Sequence, residues 1–295
     1  MNTVYPRRTV AYNSAMIDSG RWAHYAPRDG DIFICTPPKC GTTWTQAICA
    51  LLIFGRPDLD VKPGVISPWF DADHFALDDM LDELDAQTHR RFIKTHTPLD
   101  GIPYYPQCRY LTVYRDPRDV HFSMRNHARN MQSERYRDRA PDDVGAGFRR
   151  WVEKPYAPGD EDNFSLRALV HHYRTYRTFA HLPNMLFLHY ADMSRDLRRA
   201  MSRIAEFLGI RHDDAALDTL VPVAGFENMK RNASQFAPGA GLGRWKDESR
   251  FFNKGAGNQW DGAIDDDALD LYGTRMRALL PEEDIAWLQD GGTLA

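Results

Sequence analysis

Long apolar runs are missing from this chain of 295 residues. The longest strongly apolar stretch, Ala47 to Phe54, falls far short of the roughly 20 residues that cross a bilayer, so no membrane span is expected. Met1 to Pro6 lacks the apolar core of a signal peptide. Cysteine is scarce: Cys35, Cys40, Cys49 and Cys108 are the only four, and no Cys-x-x-Cys pair occurs. That pattern argues against disulfides and structural zinc, and a reducing cytoplasm is the expected setting. In that setting the glycosylation triplets Asn163-Phe-Ser and Asn232-Ala-Ser carry little meaning. A basic field is missing too. The chain has 37 Lys and Arg against 41 Asp and Glu, a net charge of −4, so no nucleic-acid partner is expected. Internal repeats and low-complexity tracts are absent. With 43% hydrophobic and 26% charged residues, the composition is that of an ordinary globule.

Four short apolar or β-branched runs read as buried strands: Asp31 to Thr36, Arg91 to Thr95, Arg109 to Tyr114 and Asn184 to Tyr190. Helical patterns separate most of them, at Trp44 to Phe54, Asp78 to His89 and Phe164 to Ala180. The clearest helix is Asp192 to Leu208, with Leu197, Met201, Ile204 and Leu208 on one face and Gly209 as its stop. Strands alternating with helices predict an α/β fold, a single domain over 1–295 whose central parallel sheet is flanked by helices. Two segments read as long loops: 130–162, dense in Arg, Asp, Pro and Gly, as a lid or insertion, and 226–257, rich in Gly, Asn and aromatics. Ligands of such folds bind at the carboxyl ends of the strands, so chemistry is sought there.

The first strand end carries Thr36-Pro-Pro-Lys39-Cys40-Gly41-Thr42-Thr43-Trp44. A helix start there offers open backbone N–H groups and about half a positive charge, a natural seat for a phosphate-like anion. Gly41 lets the backbone approach the anion, Thr42 and Thr43 donate from the first turn, and Lys39 adds a full charge. The Gly-Lys-[Ser/Thr] ending of an ATP-binding phosphate loop is absent, because the lysine precedes the glycine. No arginine follows Cys40 within its loop, as a cysteine phosphatase would need, so Cys40 reads as a small residue that fits the loop. The second strand ends in Lys94-Thr-His96. The third ends in Arg115-Asp116-Pro117-Arg118, with Ser123 eight residues past Arg115. Arg118 reads as a surface charge or one half of a structural pair.

Together these segments resemble the cytosolic-type sulfotransferases, which move a sulfonate from 3′-phosphoadenosine 5′-phosphosulfate (PAPS) to an acceptor, leaving adenosine 3′,5′-bisphosphate (PAP). The resemblance runs from Asp31 to about Trp260. It implies a P-loop NTPase-like sulfotransferase fold. Lys39 to Trp44 is similar to the 5′-phosphosulfate loop. Lys94-Thr-His96 resembles the segment with the catalytic histidine. Arg115 and Ser123 have the spacing of 3′-phosphate ligands, and Trp44, Tyr190 and Phe226 resemble adenine contacts. Asn253-Lys254-Gly255 resembles the signature that closes over the 3′-phosphate, within a loop at 226–260. The family's arginine is replaced there by Asn253, and Arg250 or Arg231 is the candidate substitute. Ala224 stands where the family often has a hydroxyl.

The resemblance implies His96 as base, Lys39 on the leaving oxygen and Lys94 on the sulfonate. Ser123 is also expected to hold Lys39 back until nucleotide arrives. No metal is required. Trp69, Phe70, Phe75 and Trp151 are expected to wall a pocket for a small apolar or aromatic alcohol or phenol, with Tyr156 nearby; a lipid or glycolipid alcohol stays open. The rival readings are an ATP-dependent phosphotransferase of related fold and a catalytically inactive nucleotide-binding module. The residues carry no signal for oligomeric state.

Overall fold

The computed structural model describes residues 4–73, 75–160, 164–253, 255 and 257–294. Its centre is a parallel sheet of four strands: β1 (Ile32–Cys35), β2 (Phe92–Thr95), β3 (Arg109–Tyr114) and β4 (Met185–His189), in the order β2-β1-β3-β4. Each lies inside the run predicted for it. Register pairs Cys35 with Thr95 and Tyr114 with His189, so the loops after all four strands open on one edge. The strands are buried almost throughout, as a parallel sheet covered on both faces requires. One face carries an aromatic core around Trp22, Phe33, Phe70 and Tyr110. The other packs Ile48, Leu51 and Leu52 of the Thr42–Phe54 helix against Met201, Ile204 and Leu208 of the Leu197–Leu208 helix.

The helix predicted over Asp192 to Leu208 is two helices, Tyr190–Arg195 and Leu197–Leu208. Asp196 breaks the run: its backbone is non-helical, and its carboxylate caps the second helix by accepting from Arg199 N. The second helix ends at Gly209 in the left-handed conformation, as the sequence predicts. Segment 130–162 is not a long loop. It holds a 3-10 turn, Glu134–Arg139, and a helix, Val144–Glu153, started by Asp143 accepting from Ala146 N; residues 161 and 162 lie outside the described residues. Phe148, Trp151 and Val152 form the buried face of that helix, which its arginines obscure in the sequence. Segment 226–257 is partly helical as well, at Phe226–Arg231 and Ala233–Phe236. A further helix, Pro117–Asn130, follows β3 directly. Asp116 caps it, accepting from Arg118 N at 2.9 Å, and Pro117 fills its first turn. Among the described residues no helix is long and apolar enough to cross a membrane.

Asp71 ties the end of β2 to the core. Its buried Oδ2 accepts from Trp22 Nε1 at 3.0 Å, Thr95 Oγ1 at 2.6 Å and Thr97 Oγ1 at 2.7 Å. Removing it strands three donors, two of them, Thr95 and Thr97, on either side of His96. Asp71→Ala is expected to lower stability by about 2–4 kcal/mol, read as a fall in urea midpoint, with Asp71→Asn recovering part of the loss.

Candidate active site

Loop geometry sets the first cation. Lys39 has φ 71° and Gly41 φ 111°, two left-handed residues that turn the chain from β1 into the Thr42–Phe54 helix. Lys39 bears a side chain in a conformation such residues seldom adopt. At Gly41 a Cβ would stand 3.3 Å from the Tyr190 ring, so a side chain at position 41 is strained on two counts. No side chain caps this helix, which leaves its first N–H groups facing the cavity that Gly41, Thr42 and Thr43 line. The Thr42 hydroxyl is paired with Thr36. Cys40 is fully buried and does not line the cavity; burial pushes its thiol up to about 12, which suits a packing residue rather than a nucleophile.

Lys94 and His96 stand at the end of β2 beneath Trp69. Segment 68–70 bonds along β2, with Lys94 N donating to Pro68 O at 2.9 Å and Phe70 N to Lys94 O at 3.2 Å. That ladder sets the Trp69 ring 5.2 Å from Lys94 Nζ and 4.9 Å from the His96 ring, edge-on at 76°. His96 Nδ1 lies 2.7 Å from Thr36 O. Only a protonated Nδ1 can donate to a carbonyl, so the remaining lone pair is on Nε2. Burial, with Lys94 and Lys39 adding to it, lowers His96 to about 3 and keeps it neutral. Burial, aided by Arg115 and Lys94, lowers Lys39 to about 7. Lys94 falls to about 8, chiefly through burial.

The β3 side supplies Arg115, buried, 3.8 Å from Asp119 and with its guanidinium 4.3 Å over the Tyr190 ring. Ser123 faces the same cavity from the helix that follows. Trp44 sits edge-on to Tyr190 at 5.3 Å and donates from Nε1 to Ala224 O at 2.8 Å, so the main chain at Ala224 uses the indole. Phe226 lies beside Gly255, where a Cβ would come within 2.6 Å of its ring. The late loop is fastened by Asp119, which accepts from Asn258 N at 3.0 Å and Gln259 N at 2.8 Å. Asn253 lines the cavity and donates to Gln259 at 3.2 Å, while Lys254 lies outside the described residues. Arg250 lines the cavity; Arg231 is exposed and is not among its lining residues. Arg118 pairs with Asp116 at 2.7 Å and stacks 3.8 Å over Trp260, a structural role.

Lys39, Thr43, Lys94, His96, Arg115 and Ser123, with Trp44, Tyr190 and Phe226, open on one cavity of about 1500 Å³. Trp69 and Phe75 are in its wall. Phe70 and Trp151 are not: Phe70 is wholly buried against Trp22 and Tyr25, and Trp151 packs on His121 and Phe148. Both point the other way because alternation along 68–70 and the buried face of the Val144–Glu153 helix commit them to the core. Tyr156 packs tilted against His171 at 5.3 Å and is not in that wall. One site residue escaped the sequence reading. His127 Nδ1 lies 3.0 Å from Lys39 Nζ. Recognising the Pro117–Asn130 helix would have found it, since His127 sits one turn beyond Ser123 on the same face. The cavity thus fits a twice-phosphorylated nucleotide: an uncapped helix start, three cations and aromatic rings together. Among the described residues no group of His, Cys, Asp and Glu is arranged to hold a metal ion.

The family model described as a sulfotransferase domain matches residues 29–280. A glycolipid sulfotransferase of Mycobacterium bovis is 34% identical, over 99% of this chain and 98% of its own length. The glycolipid sulfotransferase of Mycobacterium tuberculosis is 36% identical over the same shares, and an amine sulfotransferase of Oryctolagus cuniculus 29% identical over 79% of this chain and 75% of its own. Among solved structures, a mouse sulfotransferase complexed with PAP is similar with a TM-score of 0.71 at 21% identity, covering 90% of each chain. A retinol dehydratase complexed with retinol and PAP gives 0.68 at 22% identity, over 90% of this chain and 87% of that one.

The lysine shifts carry a pH dependence. Lys39 and Lys94 attract an anion only when protonated, a state held below about 7 and about 8 and lost as pH rises through those values. PAP affinity, measured by calorimetry, is therefore expected to fall on the order of tenfold or more between about pH 7 and pH 9. Lys39→Ala is expected to flatten that slope.

Proposed function

Because this chain belongs to the sulfotransferase family, we propose that it transfers sulfonate from PAPS to the hydroxyl of an amphipathic alcohol, with His96 as the base. The observation that carries the reading is the His96 tautomer. With Nδ1 committed to Thr36 O, Nε2 is an acceptor for the proton that the attacking hydroxyl sheds. Charge then builds on the bridging oxygen as the sulfur–oxygen bond to the nucleotide breaks. Lys39, on a lining loop, offers that oxygen a positive charge, and Lys94 offers one to the sulfonate oxygens. Thr43 and the first N–H groups of the helix grip the 5′-phosphate. Arg115 and Ser123 grip the 3′-phosphate, and Arg250 replaces the arginine missing at Asn253. Trp44, Tyr190 and Phe226 enclose the adenine.

The acceptor reading rests on the cavity's size and rim. Drug-sized ligands occupy roughly 300–1000 Å³, so about 1500 Å³ holds more than a nucleotide. Val65, Phe75 and Leu242 line it and are 61%, 47% and 69% exposed. An apolar tail covering them favours a lipid-linked alcohol, the class that the names of the mycobacterial relatives specify.

Four outcomes test this reading. His96→Ala is expected to lower turnover by about two to four decades with PAP affinity nearly unchanged, and near-normal turnover would remove His96 from the chemistry. The pH profile of kcat/KM is expected to show no acid limb from His96 above about pH 5, since a base lowered to about 3 is lost only as pH falls through that value. Arg115→Ala and Arg250→Ala are each expected to weaken PAP and barely touch AMP; equal loss for both ligands would contradict the 3′-phosphate assignment. Across a series of alkyl-chain alcohols, kcat/KM is expected to climb roughly fourfold per methylene buried on the rim, at about 0.8 kcal/mol each. A flat series would reject the lipid acceptor.

A further inference from the structure

We propose that His127 is a positioning residue for Lys39, acting on transfer by holding the lysine ammonium through its Nδ1 lone pair. The inference rests on the role proposed above for Lys39. The contact is direct, 3.0 Å between Nζ and Nδ1. Nδ1 accepts from an ammonium only while unprotonated, and burial beside Lys39, Arg139, Lys94 and His96 keeps His127 neutral, well below its ordinary value. Lys39 needs such a holder. Its ammonium is disfavoured by burial and by Arg115 and Lys94, and a neutral lone pair is the kind of partner that supports a cation without cancelling its charge.

His127 is itself clamped. The Trp245 ring meets it edge-on at 4.9 Å and Phe251 at 6.1 Å, while Phe251 also lies 4.8 Å under the Lys39 ammonium. The segment bearing both aromatics is bonded to the end of the helix that carries His127. Lys246 N donates to Asn130 O at 2.8 Å, and Asn130 Nδ2 donates to Asp247 O at 2.8 Å. So Lys39, in its left-handed loop, is aimed from across the cavity by a histidine that a distant part of the chain holds in place.

The test separates the lone pair from the packing. His127→Phe keeps a ring against Trp245 and Phe251 but removes the acceptor; His127→Gln restores an acceptor oxygen. His127→Phe is expected to cut kcat on the order of 10- to 100-fold, the worth of a hydrogen bond to a charged group, with acceptor KM within about threefold. His127→Gln is expected to recover most of that loss, and His127→Phe to have no further effect on Lys39→Ala. Full turnover in His127→Phe, equal loss in His127→Gln, or an additive loss in the double variant overturns the proposal. If Lys39→Ala alone keeps normal turnover, the role of Lys39 fails first, a result distinguishable from failure of the histidine. Thermal melts of each variant exclude misfolding as the cause, and a loss of kcat that tracks a lost fold counts against positioning.

Discussion

Like charges gathered at one sheet edge are the constraint around which this molecule is organised. Lys39, Lys94 and Arg115 come from the ends of three neighbouring strands, and register leaves them no way to separate. Arg115 and Lys94 both lower the tendency of Lys39 to stay charged. The surrounding protein supplies relief through Asp119 beside Arg115, Asp71 and the Trp69 ring near Lys94, and His127 with Phe251 around Lys39. In the function proposed above, a polyanion balances this edge, and its repulsion becomes binding energy for a nucleotide with phosphates at both ends of its ribose.

The remaining architecture keeps that edge in shape. Asp71 locks the end of β2 under Trp22, which holds His96 against the Thr36 carbonyl. Asp116 caps the helix after β3, and Asp119, one turn on, fastens the late loop by accepting from Asn258 and Gln259. Asn130, at the far end of the same helix, fastens the segment that carries Trp245 and Phe251. A single helix therefore joins the Arg115 side of the cavity, the lysine loop and the segment that carries Trp245 and Phe251.

Local signals account for what the sequence disclosed. The four strands were legible because each is a short apolar run between turn residues, and their parallel arrangement followed from the helical patterns between them. Lys39, Gly41, Lys94, His96, Arg115 and Ser123 were legible because each lies at a strand end or on the helix that follows one. The helices at 117–130 and 144–153 were not. The first buries polar residues, Asp119, His121, Arg125 and Asn130, beside its apolar ones, and the second sets arginines beside Phe148, Trp151 and Val152, so neither shows a clean apolar stripe in the sequence. Phe70 and Trp151 show the same limit at single residues: an aromatic side chain signals burial, and only its face in the fold says whether it meets core or cavity.

By itself, then, the chain's order of residues determined the α/β class, the family and its sulfonate donor, because the patterns and motifs that carry them are made of neighbours a few positions apart. Tertiary structure alone decided which groups meet: His127 with Lys39 across 88 positions, Trp44 with Ala224 across 180, Asp119 with the late loop. Such pairings depend on how separate elements pack in space, and periodicity along one element carries no record of its partner on another.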